Sequence, residues 1–422
     1  MKKSVVILLL SLFYFFTVFL TLNRHSRTGI QNYHSEIWAD KAGYYIYLPS
    51  FFIYNFDGKK LPKKIDTFTG NGFVIEKNIV KTKYTYGVAL LESPFFILAH
   101  GISTKLGFQN NGFSIIYHKM IDIAAVTYSF FGLIFLYLFL IRYVTKSIAT
   151  ITVACVYLGT NLFYYSIFET GMSHVYSFFL FTCFFFLQHY ILKPTSGFIY
   201  SVLFGCVVGL IIVVRPINVL IFPAFFLFNK FEFKAYKAKF KSLLVIVFTA
   251  TIVLIPQLIY WNYSMGNFFA DSYEKEGFVN WYSPKILNLL CSTNNGLFIY
   301  SPMAIFMLLG VCICKNFSWI QKFLIWGYFL LLTLVFASWH AWDYGCSYGC
   351  RPYVEYFSIL ALPLAFFIET IRSFNFHNFI VGFIILLFIA YNQKIIFTYD
   401  GCWQGETWDW NALWRLITNK TK

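Results

Sequence analysis

Long apolar runs separated by short polar connectors dominate the chain. The first run, 4–22, follows Met1-Lys2-Lys3. A helix needs about 20 apolar residues to cross a bilayer core. No small-residue cleavage site follows the run, so it reads as an uncleaved first helix rather than a signal peptide. Further spans are predicted over 115–143, 147–167, 172–192, 197–214, 217–228, 243–260, 297–313, 323–338, 354–371 and 379–397. The run 217–228 is short for a span and suits part of a bent or tilted helix. Between the first and second spans, 23–112 contains two apolar helices too interrupted to cross, 36–56 with Pro49 and 86–100 with Pro94. They suit helices lying on the membrane surface, joined by the Lys-, Gly- and Asn-rich loop 57–83. The expectation is an all-α polytopic bundle of about eleven spans, forming one domain over 1–422, with 23–112 as its first outer loop and 398–422 as a short outer tail.

Charge orients this bundle. With the N-terminus in the cytoplasm, Arg142, Lys146, Lys193, the Lys230 to Lys241 cluster, Lys315, Lys322 and Arg372 all fall in cytoplasmic connectors. Short basic loops belong on that side. The chain is 59% hydrophobic, only 12% charged, and carries a formal charge of +15. Soluble domains carry about 25% charged residues. The excess of cations suits a membrane with anionic lipid head groups, and no nucleic-acid-binding motif is present. The chain offers no phosphate-cradling glycine loop and no Asp-x-Asp pair. Cys312 and Cys314 lack further ligands nearby, so no metal site is expected and no cofactor is called for. Cys346 with Cys350, or Cys291 with Cys402, could pair on an oxidising side.

In this topology the unusual polar residues gather on the outer face. Asp40 lies among aromatic neighbours, where a carboxylate can take a proton from an attacking hydroxyl. Its plain alternative is an interfacial helix whose acid faces water. Arg215 and Arg351 suit a lipid phosphate, because the guanidinium fork matches phosphate oxygens; snorkelling and ordinary span flanking are the competing explanations. His174 and Glu169 offer polar groups to a pocket, or a satisfied interfacial histidine and a solvated acid. Tyr44, Trp339 and Trp342 can stack on sugars or isoprenoid units, and Asp343 adds a further acid; tryptophans also form plain aromatic belts. Ionisable groups at membrane depth usually mark a substrate path.

Several stretches carry a family resemblance. They are Asp40 with Gly43-Tyr44-Tyr45, Lys83-Tyr84-Thr85-Tyr86-Gly87, Ser93-Pro94-Phe95-Phe96, Gly171-Met172-Ser173-His174, Arg215-Pro216, Gly296 to Pro302, and Trp339 to Arg351. In order and topology the chain resembles the bacterial polytopic GT-C glycosyltransferases, the superfamily of the protein O-mannosyltransferases and the lipid A aminoarabinose transferase. The resemblance implies a catalytic base at Asp40, a polyprenyl-phosphate sugar as donor, and a hydroxyl acceptor on an envelope glycan, lipid or protein. It also implies an active site on the extracytoplasmic face of a bacterial inner membrane. Two departures stand out: Lys41 follows Asp40 where better-known members carry a second acid, and the tail is too short for a typical soluble domain. The rival readings are a transporter or flippase of lipid-linked glycans, which needs charged midplane sites and a repeat, and a ligase or polymerase using a diphosphate donor.

Overall fold

The computed structural model describes the chain apart from residues 1–2, 27–28, 194–196, 229–239, 274–275, 373–374 and 419–422. The Lys230 to Lys241 cluster lies almost wholly outside the described residues. The protein is an all-α polytopic bundle. Seven described helices are long and apolar enough to cross a membrane: Ser4–His25, Gly87–Leu106, Ile115–Leu140, Ser173–Leu192, Phe240–Met265, Trp319–Ala337 and Phe379–Thr398. Shorter apolar helices, Lys146–Leu158, Phe198–Val214, Pro216–Phe226 and Met303–Ile313, join them, as does the largely buried Phe357–Arg372, the counterpart of the expected span 354–371.

Burial separates inner from outer helices. Ser173–Leu192 has 72% of its apolar stretch buried within the protein, against 11% for both Ser4–His25 and Phe240–Met265. An evenly apolar helix that is covered on all sides is a core column, whereas one left bare suits lipid. The column packs on Ile115–Leu140, where Gly132 leaves room for the Phe178 ring. Small residues also set the approach of Phe198–Val214 to Phe240–Met265: Gly205 and Gly209, one turn apart, face Ile246, Thr249, Ala250 and Val253.

Several expected spans are interrupted. The stretch 147–167 divides into Lys146–Leu158 and Leu162–Ile167, because Gly159-Thr160-Asn161 break the ladder and Asn161 bonds instead to Ser301 and Tyr348. The stretch 297–313 divides at Ser301-Pro302, since proline cannot donate to the preceding turn. The run 217–228 is a 3-10 segment, Pro216–Phe226.

The stretch 23–112 is more ordered than its composition suggested. The first surface helix is two short ones, Asp40–Tyr45 and Tyr47–Phe52. Within 57–83 the strands Val74–Glu76 and Ile79–Lys81 form an antiparallel hairpin. The second helix, Gly87–Ser103, is longer than 86–100 and meets the length and composition of a span. A separate apolar cluster of Ile37, Tyr45, Leu48, Phe73, Val80, Phe96, Tyr117 and Tyr260 ties these pieces together.

Candidate active site

Local packing fixes Asp40. It is the first residue of Asp40–Tyr45, and the preceding Ala39 has φ +48°, a region that disfavours a side chain. Strained backbone of this kind persists only where its surroundings hold it. Here Ala39 N–H donates to Thr69 C=O at 2.8 Å and Gly72 packs on the Ala39 carbonyl. One turn on, Gly43 lies under the Tyr84 ring and the Gly72 carbonyl, with no space for a Cβ. The Tyr84 ring thereby lies against the helix, beside Tyr44 with a centroid separation of 4.4 Å, and its hydroxyl donates to Asp40 Oδ1 at 2.5 Å. On the other side Arg351 Nη2 donates to Asp40 Oδ2 at 3.3 Å.

Asp40 is also the wall between two cavities. One, of about 420 Å³, is bounded by Asp40, Asn71, Lys81, Lys83, Tyr84 and Ser272 among others. The second, of about 340 Å³, is bounded by Asp40, Lys41, Tyr165, Glu169, Tyr344 and Arg351 among others. The Asp40 side chain is 37% exposed, so its carboxylate is held by protein yet open to both spaces. Burial pushes its pKa up, but the Arg351 charge, the Tyr84 hydroxyl and Lys83 outweigh this and leave it below the usual carboxylate value. Burial likewise lowers and Asp40 raises Arg351, with a net rise. Desolvation first, and Asp40 second, lift the Tyr84 phenol well above its usual value, so Tyr84 acts as a donor.

Behind Arg351 lies a second ion group. Glu355 is fully buried and accepts from Arg215 Nη1 at 2.6 Å and pairs with His174 Nδ1 at 2.9 Å. Arg215 stands within electrostatic reach of Tyr44, Tyr273, Tyr344 and Arg351. Glu169 pairs with Lys41 at 2.8 Å and borders the second cavity. Of the residues singled out in the sequence, the structure thus gathers Asp40, Tyr44, Arg215, Arg351, His174 and Glu169 around one region. Trp339, Trp342 and Asp343 border neither cavity. Trp339 packs on Phe278 and Tyr273, and Asp343 accepts from Asn294 and holds the turn that follows it. Sequence reasoning missed Glu355, although an acid one turn after Arg351 at the start of an apolar helix is a readable signal. It also passed over Tyr84, Tyr273 and Tyr344 as partners of the charged groups. Cys346 pairs with Cys402, which differs from both expected pairings. The docking of Tyr399, whose hydroxyl donates to the Ser347 carbonyl, brings Cys402 to Cys346 and could not be read from spacing.

Neither a family model nor a curated protein matches the sequence. A search of solved structures does give a match. The chain is similar in fold to ArnT from Cupriavidus metallidurans, whose crystal structure is bound to undecaprenyl phosphate. The TM-score is 0.53 at 10% sequence identity, over 94% of this chain and 69% of ArnT. The likeness is one of fold: a polytopic helical bundle similar to that of ArnT.

Proposed function

We propose that the protein is a membrane glycosyltransferase that moves one sugar from a polyprenyl-phosphate donor to a hydroxyl on an envelope glycan, lipid or protein. The observation that carries this reading is Asp40, held by Tyr84 and Arg351 at the junction of two cavities. The ArnT-like fold supports the donor class, since that structure was solved with undecaprenyl phosphate. Asp40 accepts the proton of the acceptor hydroxyl as its oxygen bonds to the anomeric carbon. The bond from that carbon to the phosphate oxygen breaks, and the departing polyprenyl phosphate gains negative charge. Arg351, with Arg215 behind it, stabilises that charge. Phosphate entering the second cavity competes with Asp40 for Arg351, which loosens the ion pair and frees the carboxylate to act as base. A single base with direct attack inverts the anomeric centre and needs no second, nucleophilic carboxylate. Tyr44, His174 and Glu169 shape the surrounding pocket; Trp339, Trp342 and Asp343 support it from the neighbouring loop.

The bundle acts as one domain over 1–422, in a bacterial inner membrane with its N-terminus in the cytoplasm and Asp40 outside. The Cys346–Cys402 pair beside the second cavity supports that placement, because disulfides persist in oxidising compartments. Incubating the purified protein with radiolabelled polyprenyl-monophosphate and polyprenyl-diphosphate sugars tests the reading. Release of free sugar or transfer from the monophosphate donor alone is the expected result. Consumption of the diphosphate donor alone points to a ligase or polymerase, and binding without bond cleavage points to a carrier; either overturns the proposal.

A further inference from the structure

A second group of ionisable side chains lies beneath the Asp40 loop. His25 closes the first helix, Glu36 sits in the loop four residues before Asp40, and Asp122 lies on Ile115–Leu140 one turn after His118. Each of the four is at most 4% exposed. One ligand atom from each of His25, Glu36 and Asp122 lies within 4.8 Å of the others, the one such trio among the described residues. His25 Nδ1 is 3.2 Å from Glu36 Oε1. Tetrahedral ligands at zinc-like bond lengths stand about 3.4 Å apart.

The surroundings are those of a liganded site. His25 Nε2 faces the Ile167 carbonyl at 3.1 Å and Asp122 Oδ1 at 3.8 Å; a ring nitrogen donating to the backbone carbonyl leaves the lone pair on Nδ1, toward Glu36. That lone pair would then meet a carboxylate oxygen, an arrangement that needs a cation or a proton between them. Glu36 Oε2 pairs with His118 Nδ1 at 2.8 Å, and Asp122 Oδ1 accepts from Thr170 at 2.8 Å. Ligating carboxylates are commonly supported by such bonds. Asp122 Oδ2 is buried and has no hydrogen-bond partner, although the side chain is fully enclosed. Glu36 lies within its electrostatic reach, so the two carboxylates face one another. The neighbouring Lys41 is already matched by Glu169. A divalent cation with Glu36, Asp122 and a neutral His25 makes a site of zero net charge, which a buried location favours.

We propose that His25, Glu36 and Asp122 bind one divalent transition-metal ion, zinc or manganese, with His118 and Thr170 orienting the carboxylates. Mixed imidazole and carboxylate ligands suit those ions better than calcium or magnesium. The ion ties together the first helix, the Asp40 loop and Ile115–Leu140, and so acts as a structural clamp. It stands apart from the glycosyl-transfer chemistry and departs from the expectation that no metal is bound.

The full chain, purified without chelator, is offered zinc or manganese, passed through gel filtration and analysed for metal. The wild type is expected to retain about one equivalent of one of these ions, and Asp122→Asn less than one-fifth of that. Chelation of the wild type is expected to lower its melting temperature, with recovery when the ion is returned. Fewer than one-fifth equivalents on the wild type, or equal retention by Asp122→Asn, overturns the site. Should Asp122→Asn fail to fold, the chelation arm decides: an unchanged melting temperature with both ions removed overturns it too.

Discussion

Tyr84→Phe isolates the contact that tunes Asp40. The substitution removes one hydroxyl and keeps the ring beside Tyr44 and beneath the Lys83 ammonium. A hydrogen bond to a charged group is worth about 1.5–3 kcal/mol. Asp40 is 37% exposed and shares its charge with Arg351, so solvent screening reduces the expected coupling to about 1 kcal/mol. The sign follows from the depressed pKa of Asp40, which burial opposes and Arg351, then Tyr84, enforce. The ionised form is favoured in the folded protein, so this contribution is present above the unfolded value of about 4 and is lost as pH falls through the lower folded value. A double-mutant cycle of Tyr84→Phe and Asp40→Asn, read as unfolding free energy in mixed micelles, measures it. The coupling should be about 1 kcal/mol at pH 7 and shrink as acid protonates Asp40 in the folded state. A coupling under about 0.3 kcal/mol at pH 7, or one that does not change on acidification, refutes the reasoning.

Other outcomes follow from the same geometry. Gly43→Ala brings a methyl group into the Tyr84 ring and the Gly72 carbonyl, and should cost about 1–3 kcal/mol in unfolding experiments while also lowering turnover. Glu355→Gln leaves Arg215 without its carboxylate in a buried setting and should destabilise the protein by about 3–5 kcal/mol. Arg351→Lys retains the charge but loses the planar fork, so polyprenyl-phosphate affinity should fall about tenfold in a lipid-binding titration. Cys346 and Cys402 lie 56 residues apart, and reducing their disulfide should lower stability by up to about 4 kcal/mol, seen as a reductant-dependent melting temperature.

Much of the fold was legible because bilayer-length apolar runs leave little choice of structure. The same physics explains the gaps. Hydropathy does not register where a span breaks: Asn161 turns the chain by bonding across the bundle to Ser301 and Tyr348, partners far away in sequence. Nor does an internal proline mark a break reliably: Gly87–Ser103 runs through Pro94 as one helix and meets the length and composition of a span. In the site, Asp40 and the arginines stood out because charges are rare in so apolar a chain. Their partners did not. Tyr84 is one of 31 tyrosines, and nothing in its neighbours distinguishes a hydroxyl aimed at a carboxylate from one that lines a core. His118 and Asp122 at one-turn spacing were a readable pair, but their meeting with His25 and Glu36 depends on how the loop folds over the helices.

The most direct test of the account is turnover by Asp40→Asn with a polyprenyl-phosphate sugar. The amide retains the side chain's size but cannot accept the hydroxyl proton as a base. Loss of general base catalysis of this kind costs about 10²–10⁴-fold in rate. The account predicts a fall of that size in transfer rate, with folding and polyprenyl-phosphate binding retained. Transfer by Asp40→Asn at the wild-type rate would contradict it.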